Sequence, residues 1–219
     1  SLSAAMPANP LDKIIHLSAN MSRSGGGLPF AILPLALELD MHHKLRCELM
    51  TFTIPEENIE LTSHELPAWG PQVFPIAPGI GRLITKADPA ILHLHGLWSS
   101  LSISALRFQK THRMPVVVSP HGMLDPWALQ NSGWKKKLAM MAFERKALKT
   151  ASCLHALNDA EAEAIRSLGL RTPIAVIPNG IGKTTQRLDA PLDVLRQDHR
   201  RVLLFLGRIH PKKGISELI

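Results

Sequence analysis

Two histidines stand where predicted strands end, and imidazole can donate or accept a hydrogen bond or a proton near neutral pH. His95 ends the apolar run 91–95, and His121 comes shortly after the valine run 116–118 and directly before Gly122. Ligands of an open parallel α/β sheet bind beyond the carboxyl ends of its strands. We therefore predict that His95, His121 and Gly122 face a binding or catalytic site.

The same histidines also allow a metal site. His93 and His95 alternate along one strand, so their side chains share a face of the sheet, and His121 could supply the third ligand of a metal-dependent hydrolase. No constellation of Asp or Glu accompanies them, and a strand histidine such as His93 is most often a packing residue. We keep the hydrolase as an alternative to a protein that needs no metal and no cofactor.

The elements that must position these residues alternate between short apolar strands and longer helices. This alternation predicts an α/β fold, a doubly wound parallel, Rossmann-like sheet. A further short strand is predicted around Val73, and Asn158 with Glu161 three residues later predicts a helix start. Strands are predicted at 13–18, 46–52, 91–95, 116–118, 153–156 and 173–177, and helices at 28–39, 80–86, 101–111, 133–150 and 158–168.

A glycine loop joins the first predicted strand to the first predicted helix. Ser24 is followed by Gly25, Gly26 and Gly27, and this arrangement lets backbone amides approach a phosphate or a sugar closely. The spacing does not meet the dinucleotide pattern G-x-G-x-x-G, so the same glycines also suit a flexible loop.

The predicted helix 133–150 is strongly basic. Leu138, Met141, Ala142 and Leu148 recur at helical spacing, which predicts that they form the face turned to the core. Lysines and arginines dominate the remainder. That remainder is either an ordinary solvated face or a surface that meets anionic lipid headgroups.

Composition narrows the classes of partner. The chain has 219 residues, 45% hydrophobic content and a formal net charge of +7, which favours an anionic partner. No nucleic-acid recognition pattern accompanies the charge, so a phosphorylated substrate or a lipid surface is preferred. The two cysteines have no metal-type spacing and are predicted to be free thiols. Without a signal peptide or a bilayer-spanning stretch, we predict a cytoplasmic protein that can rest on the inner face of the membrane.

Changes in composition predict the domain organisation. Residues 1–12 read as a disordered lead-in, 13–181 as one Rossmann-like domain and 182–200 as a polar linker. The apolar run 202–206 begins a new buried strand within 201–219. One strand and part of a helix cannot bury a core, so we expect these last residues to start a second domain that has been cut off.

Five motifs in one order resemble a known family. They are HGLW at 95–98, SPHGMLDPWAL at 119–129, ER-x-x-L-x-x-A at 144–151, PNGI at 178–181 and GR-x-x-x-KKG at 207–214. Together they resemble a family 4 retaining glycosyltransferase of the two-domain GT-B fold. The resemblance implies transfer of a sugar from a nucleotide-sugar donor to a glycan or lipid-linked acceptor, in lipopolysaccharide or exopolysaccharide biosynthesis, with retention of configuration and no essential metal.

The resemblance also implies roles for residues of the first domain, which holds the acceptor in that family. His121 would contact the transferred sugar close to the reacting carbon. Gly26 and Gly27 would lie near the donor phosphates and the acceptor, and Asn179 of the PNGI motif would bind substrate.

Two basic residues match the pair that grips the donor diphosphate in the family, Arg208 and Lys213. Negative charge grows on the diphosphate as the glycosidic bond breaks, and two fixed cations stabilise that charge more in the transition state than in the ground state. In a metal-independent enzyme these cations would take the place of magnesium.

The sequence departs from the family at two points. Gly182 follows PNGI, where the family usually has an acidic or other polar residue. The paired glutamates that the family places seven residues apart in its second domain are absent. We therefore expect little or no transferase activity from the 219 residues alone, and a non-catalytic module that binds an acceptor or a membrane surface is the second alternative.

Overall fold

The structure, a computed structural model, describes residues 13–43, 45–57, 59–130, 133–181 and 205. The chain divides into two compact units, Ser1–Ile181 and Gly182–Ile219, and nearly all of the described residues belong to the first. The predicted lead-in, linker and start of a second domain lie outside the described residues, as do Arg208 and Lys213. The predicted domain boundaries therefore remain predictions.

Seven parallel strands form one sheet in the order β3-β2-β1-β4-β5-β6-β7. The order reverses between β1 and β4, which is the topological switch point where open α/β sheets bind ligands. The predicted α/β, doubly wound parallel sheet is confirmed. The strands are β1 (Lys13–Ser18), β2 (Arg46–Thr51), β3 (Thr62–Glu65), β4 (Ile91–His95), β5 (Val116–Ser119), β6 (Cys153–Ala156) and β7 (Ile174–Val176).

Helices connect the strands and cover the sheet. None of the helices in the described part of the chain is long and apolar enough to cross a bilayer. The α-helices are α1 (Leu28–His43), α2 (Ile80–Ala87), α3 (Ser100–His112), α4 (Pro126–Gln130), α5 (Gly133–Ala139), α6 (Arg145–Thr150) and α7 (Asp159–Ser167). A 3-10 turn at Arg23–Gly25 precedes α1, and a π-helical segment at Met140–Glu144 joins α5 to α6.

One face of the central strands builds the main hydrophobic core. Successive strand residues point to opposite faces of a sheet, and the apolar alternate residues of β1, β4, β5 and β6 are all buried. They are Ile15, Leu17, Leu92, Leu94, Val116, Val118, Leu154 and Ala156. The other alternates include His16, His93, His95, Ser119 and His155, so the opposite face of the same strands carries a cluster of polar side chains.

The predicted core face of helix 133–150 is wrong. Leu138 and Met141 are 61% and 77% exposed, and Ala142 is also exposed. Leu148 is buried as predicted, but it shares its face with Glu144 and Ala147. The inward face includes polar residues, the half-buried Lys136 and the buried Glu144, so a pattern built from apolar residues alone assigned the wrong face to the core.

Two smaller predictions have opposite outcomes. The strand expected around Val73 is absent: that residue is 87% exposed, and the third strand forms instead at Thr62–Glu65. The predicted free thiols are confirmed, because Cys47 and Cys153 are both unpaired and lie in strands.

Candidate active site

The loops that follow β1, β4 and β5 meet at the carboxyl edge of the sheet. Gly96 donates its backbone N–H to the Ser119 carbonyl at 2.9 Å. A Cβ atom on Gly96 would lie 3.1 Å from the Met123 methyl carbon and 3.5 Å from Leu28 Cδ1. The residue after the glycine loop, the end of β4 and the loop after β5 are therefore in direct contact, as ligand binding at one edge requires.

The backbone of the loop after β5 is strained and firmly held. His121 has a φ of 54° and Gly122 one of 72°, and the left-handed region is unusual for a residue other than glycine. Glu161 accepts a hydrogen bond from the Gly122 N–H at 2.6 Å and one from the Leu157 N–H at 2.8 Å. Strain of this kind often accompanies function, and here a buried carboxylate fixes it.

The same glutamate belongs to the predicted helix start. Asn158 caps α7 by accepting from the Glu161 N–H at 2.8 Å, which confirms the prediction. The sequence did not indicate that the Glu161 side chain also holds the loop carrying His121. That contact depends on the tertiary proximity of the loops after β5 and β6, which a local motif does not reveal.

Three histidines are hydrogen-bonded in series from the interior to the edge. His16 Nδ1 lies 2.9 Å from His95 Nε2, and His95 Nδ1 lies 3.0 Å from His121 Nε2. His16 is fully buried and His95 is 3% exposed, whereas His121 is half-buried. The structure thus brings together the two predicted site histidines, and it adds His16, which sequence analysis missed.

Burial keeps these imidazoles neutral. It lowers the pKa of His16 to about 4, and burial followed by the charge of His155 lowers the pKa of His121 to about 4. Burial is also the main reason that the pKa of His95 is well below its usual value. Near neutral pH each ring therefore carries one N–H and one lone pair.

The direction of the protons in the series can be assigned from its buried end. His16 Nε2 is buried without a hydrogen-bond partner among the described residues, and an orphaned buried N–H is rarer than an orphaned acceptor. This favours a proton on His16 Nδ1, which in turn places one on His95 Nδ1. His121 then accepts at Nε2 and carries its own proton on Nδ1.

A second polar series runs across the same face of the sheet. His93 Nε2 lies 2.7 Å from Ser119 Oγ, which lies 2.8 Å from His155 Nδ1. His155 Nε2 donates to the Ile177 carbonyl at 2.8 Å. These contacts agree with the interpretation of His93 as a packing residue, and they connect β4 to the end of β7.

The residues that could hold a metal differ from the predicted set. Ring nitrogens of His16, His93 and His95 lie within 4.8 Å of one another, while His121 hydrogen-bonds to His95 instead of completing that group. Both nitrogens of His95 already have histidine partners. A metal at this position would have to replace those hydrogen bonds, so the donor set fits a hydrogen-bonded network better than a coordination site.

The glycine loop is ordered by Asn20 and not by the glycines alone. Asn20 Oδ1 accepts from the Ser22 N–H at 2.9 Å, and its Nδ2 donates to Ser24 Oγ at 3.1 Å. A Cβ on Gly25 would lie 2.6 Å from the Asn20 carbonyl oxygen, and Gly26 has a φ of 74°. A Cβ on Gly27 would meet nothing within 4 Å, so of these glycines Gly27 has room for a ligand.

Glu144 is a buried carboxyl group behind the site. It accepts from the Trp98 backbone N–H at 2.5 Å and from Ser102 Oγ at 2.8 Å, both at Oε1, while Oε2 has no partner among the described residues. Burial raises its pKa to about 7, against the opposing effect of those two hydrogen bonds. Trp98 has a φ of 65°, so Glu144 holds the strained loop after β4.

The other predicted site residues are less informative. Asn179 is exposed in the segment after β7, at the same edge of the sheet but beyond β6. Arg208 and Lys213 lie outside the described residues, so their predicted role stays a prediction.

Comparison with known proteins identifies a family and a fold. Residues 46–180 match the family described as glycosyl transferase 4-like domain. HepE from Anabaena, in a crystal structure with UDP and glucose, is 17% identical with a TM-score of 0.55, covering 77% of this chain and 44% of HepE. Sucrose-phosphate synthase from Thermosynechococcus elongatus is 14% identical with a TM-score of 0.58, covering 78% of this chain and 49% of the synthase.

The similarity to these two structures concerns the fold. The sheet is that of the GT-B glycosyltransferases, as the motifs predicted, and the chain spans less than half the length of either protein. No curated protein matches the sequence.

Proposed function

Because the chain belongs to the glycosyl transferase 4-like family, we propose that it acts in the transfer of a sugar from a nucleotide-sugar donor to a glycan or lipid-linked acceptor. The observation that carries the proposal is His121, a neutral imidazole in a left-handed loop at the switch-point edge of the sheet. HepE has been crystallised with UDP-glucose, which supports a nucleotide sugar as the class of donor.

The proposed role of His121 follows from its charge and its proton. The transferred sugar gains positive charge as its bond to the diphosphate breaks, and a neutral imidazole adds no opposing cation beside it. The Nδ1–H can hydrogen-bond a sugar oxygen and fix the ring relative to the acceptor. The acceptor hydroxyl oxygen forms the new bond to the anomeric carbon and its proton passes to an oxygen of the departing diphosphate, which leaves with the electrons of the broken bond.

The finer features of the proposal derive from the motif resemblance. They are retention of configuration, independence of metal, a place in lipopolysaccharide or exopolysaccharide biosynthesis, and stabilisation of the leaving diphosphate by Arg208 and Lys213. The net charge of +7 is consistent with an anionic donor. Low activity of the 219 residues by themselves remains a prediction, and robust turnover by the purified chain would contradict it.

A substitution that leaves the backbone relaxed tests the role of His121. Asparagine tolerates the left-handed region, so His121→Asn removes the imidazole without new strain. In a form of the protein that transfers sugar, we expect kcat/KM for transfer from the nucleotide sugar to fall by about 100-fold, with the fold unchanged. Product NMR at the anomeric position reports whether configuration is retained.

The control is His42→Asn, since His42 is an exposed histidine of α1. It should leave transfer unchanged. Equal and measurable transfer by His121→Asn and the wild-type protein would refute the proposed role, and a non-catalytic module would show acceptor binding without transfer by either protein.

A further inference from the structure

An apolar stripe lies on the outside of the helix that follows the candidate site. Trp134, Leu138 and Met141 are 71%, 61% and 77% exposed. Their spacing of four and then three residues places them on one side of the helix. Trp127 of the neighbouring α4 is a further large apolar residue and is 41% exposed. Grouped exposed apolar residues of this size mark a surface that contacts something apolar.

Positive charge borders the stripe on both sides. At about 100° per residue, Lys135 and Lys137 project to either side of the line joining Trp134 to Leu138. Lys135 Nζ lies 5.6 Å from the centroid of the Trp134 ring. Glu144 is the one acidic residue of the sequence 133–150, and it is fully buried, so the exposed part of this helix carries no acidic side chain.

We propose that this surface, which we call the Trp134 face (Trp134, Lys135, Lys137, Leu138 and Met141), binds an anionic lipid bilayer. Apolar side chains of a basic helix enter the boundary between headgroups and acyl chains, and tryptophan favours that boundary. The lysines pair with lipid phosphates while their alkyl stems lie along the apolar surface. A protein partner fits less well, because the cores of protein interfaces are depleted in lysine.

The position of the face connects it to the candidate site. α4 begins at Pro126, a few residues after His121, and Lys136 Nζ donates to the Ala128 carbonyl to join α5 to α4. The Trp134 face therefore lies on a helix that contacts α4, the element that follows the loop carrying His121. This would suit a lipid-linked acceptor, a consequence that rests on the proposed function, whereas lipid binding itself does not.

Flotation with lipid vesicles tests the proposal independently of catalysis. The whole chain should float with vesicles of equal parts phosphatidylcholine and phosphatidylglycerol, and far less with phosphatidylcholine alone. Leu138→Glu with Met141→Glu, and separately Lys135→Glu with Lys137→Glu, should each weaken the partition by about tenfold or more. Exposed positions tolerate such changes, and circular dichroism verifies that each variant is folded.

Matched controls separate this face from general charge and hydrophobicity. Val73→Glu introduces a charge at an apolar residue that is 87% exposed in another part of the molecule. Arg82→Glu with Lys86→Glu makes the same change of charge at exposed positions of α2. Both should bind within about twofold of the wild-type chain. Quenching of tryptophan fluorescence by brominated lipid should fall in Trp134→Leu and persist in Trp69→Leu.

Several results would overturn the proposal. They are failure of the chain to float with anionic vesicles, equal flotation with neutral ones, or unchanged binding by the Leu138 and Met141 double variant. Self-association that this double variant abolishes, without lipid binding by the wild-type chain, would instead assign the face to a second copy of the chain.

Discussion

The two faces of the central sheet are built from alternate residues of the same strands, yet they differ in chemistry. Leu92 and Leu94 of β4 point into the main core, while His93 and His95 of the same strand join the histidine networks. The apolar face stabilises the sheet by removing its side chains from water. The histidine face holds its polar side chains together by hydrogen bonds, and it ends at the carboxyl edge of the sheet, where open α/β sheets bind ligands.

The difference between the two faces explains how the charge and the orientation of His121 are set. Burial keeps a histidine neutral while it retains its hydrogen bonds. The hydrogen-bonded imidazoles of this face therefore hold the ring of His121, at the strand ends, neutral and in one orientation. Apolar packing could hold His121 in place but could not select its tautomer. The comparison predicts that the two faces respond differently to substitution and to pH.

Neighbouring substitutions on opposite faces of β4 should have the largest and most contrasting effects. Leu94→Ala leaves a cavity in the core and should lower the free energy of unfolding by about 3 kcal/mol, with kcat/KM unchanged where the protein is folded. His95→Gln should cost about 1 to 2 kcal/mol but lower kcat/KM about tenfold, because His121 loses the group that fixes its proton. Urea unfolding and transfer kinetics give both numbers, and identical patterns for the two variants would refute the comparison.

The histidine face should make the protein sensitive to acid. His16 has a pKa of about 4 in the folded protein and 6.5 as its reference, so the unfolded chain binds more protons between those values and stability falls as the pH falls from 6.5 towards 4. This one group should account for about 3 kcal/mol of that loss. Urea unfolding of wild type and His16→Gln across the range measures it, and equal slopes would exclude His16 as the cause.

Glu144 should oppose that trend. The pKa of Glu144 is about 7 in the folded protein, against a reference value of 4.5. Between those values the folded protein binds more protons than the unfolded chain, so the contribution of Glu144 to the free energy of unfolding decreases as the pH rises from 4.5 to 7. Glu144→Gln keeps an acceptor at Oε1 and does not titrate. Between pH 4.5 and 7.5 the wild-type protein should lose about 2 to 3 kcal/mol relative to this variant. A constant difference in unfolding free energy would contradict the assignment.

The smallest expected effect concerns the glycine loop. Gly27→Ala meets no atom within 4 Å and should change the free energy of unfolding by less than about 0.5 kcal/mol. Gly25→Ala would press a Cβ to 2.6 Å from the Asn20 carbonyl oxygen and should destabilise the protein measurably more. Thermal unfolding of the two variants compares them directly, and equal melting temperatures would show that the loop relaxes freely.

The residues at the edge of the candidate site could be predicted from the sequence, but those of its interior could not. Strand ends are visible in sequence as apolar runs that stop, so His95 and His121 could be placed at one edge from parallel topology alone. His16 could not be placed there from the sequence, because its role depends on the pairing of β1 with β4. Within the stretch KIIHLS alone, this histidine resembles a packing residue. The signal available in hindsight is that β1, β4 and β6 each carry a histidine on the same face.

Glu144 shows the other limit. A charged residue is rarely buried unless it is paired, so a pattern of apolar residues predicted Leu138 and Met141 as core and overlooked the carboxyl group that holds the loop after β4. The exposed Trp134 face became visible in the structure, once the inward face was seen to contain Glu144.

The most direct test of this account is the protonation state of the histidine series, read from the ring nitrogens by ¹⁵N NMR with His16→Gln, His95→Gln and His121→Asn used for assignment. At pH 6 we expect neutral rings for His16, His95 and His121, with the proton of each on Nδ1. A doubly protonated His121 at that pH, or a proton on its Nε2, would contradict the claim that the buried face delivers a neutral Nδ1–H donor to the site.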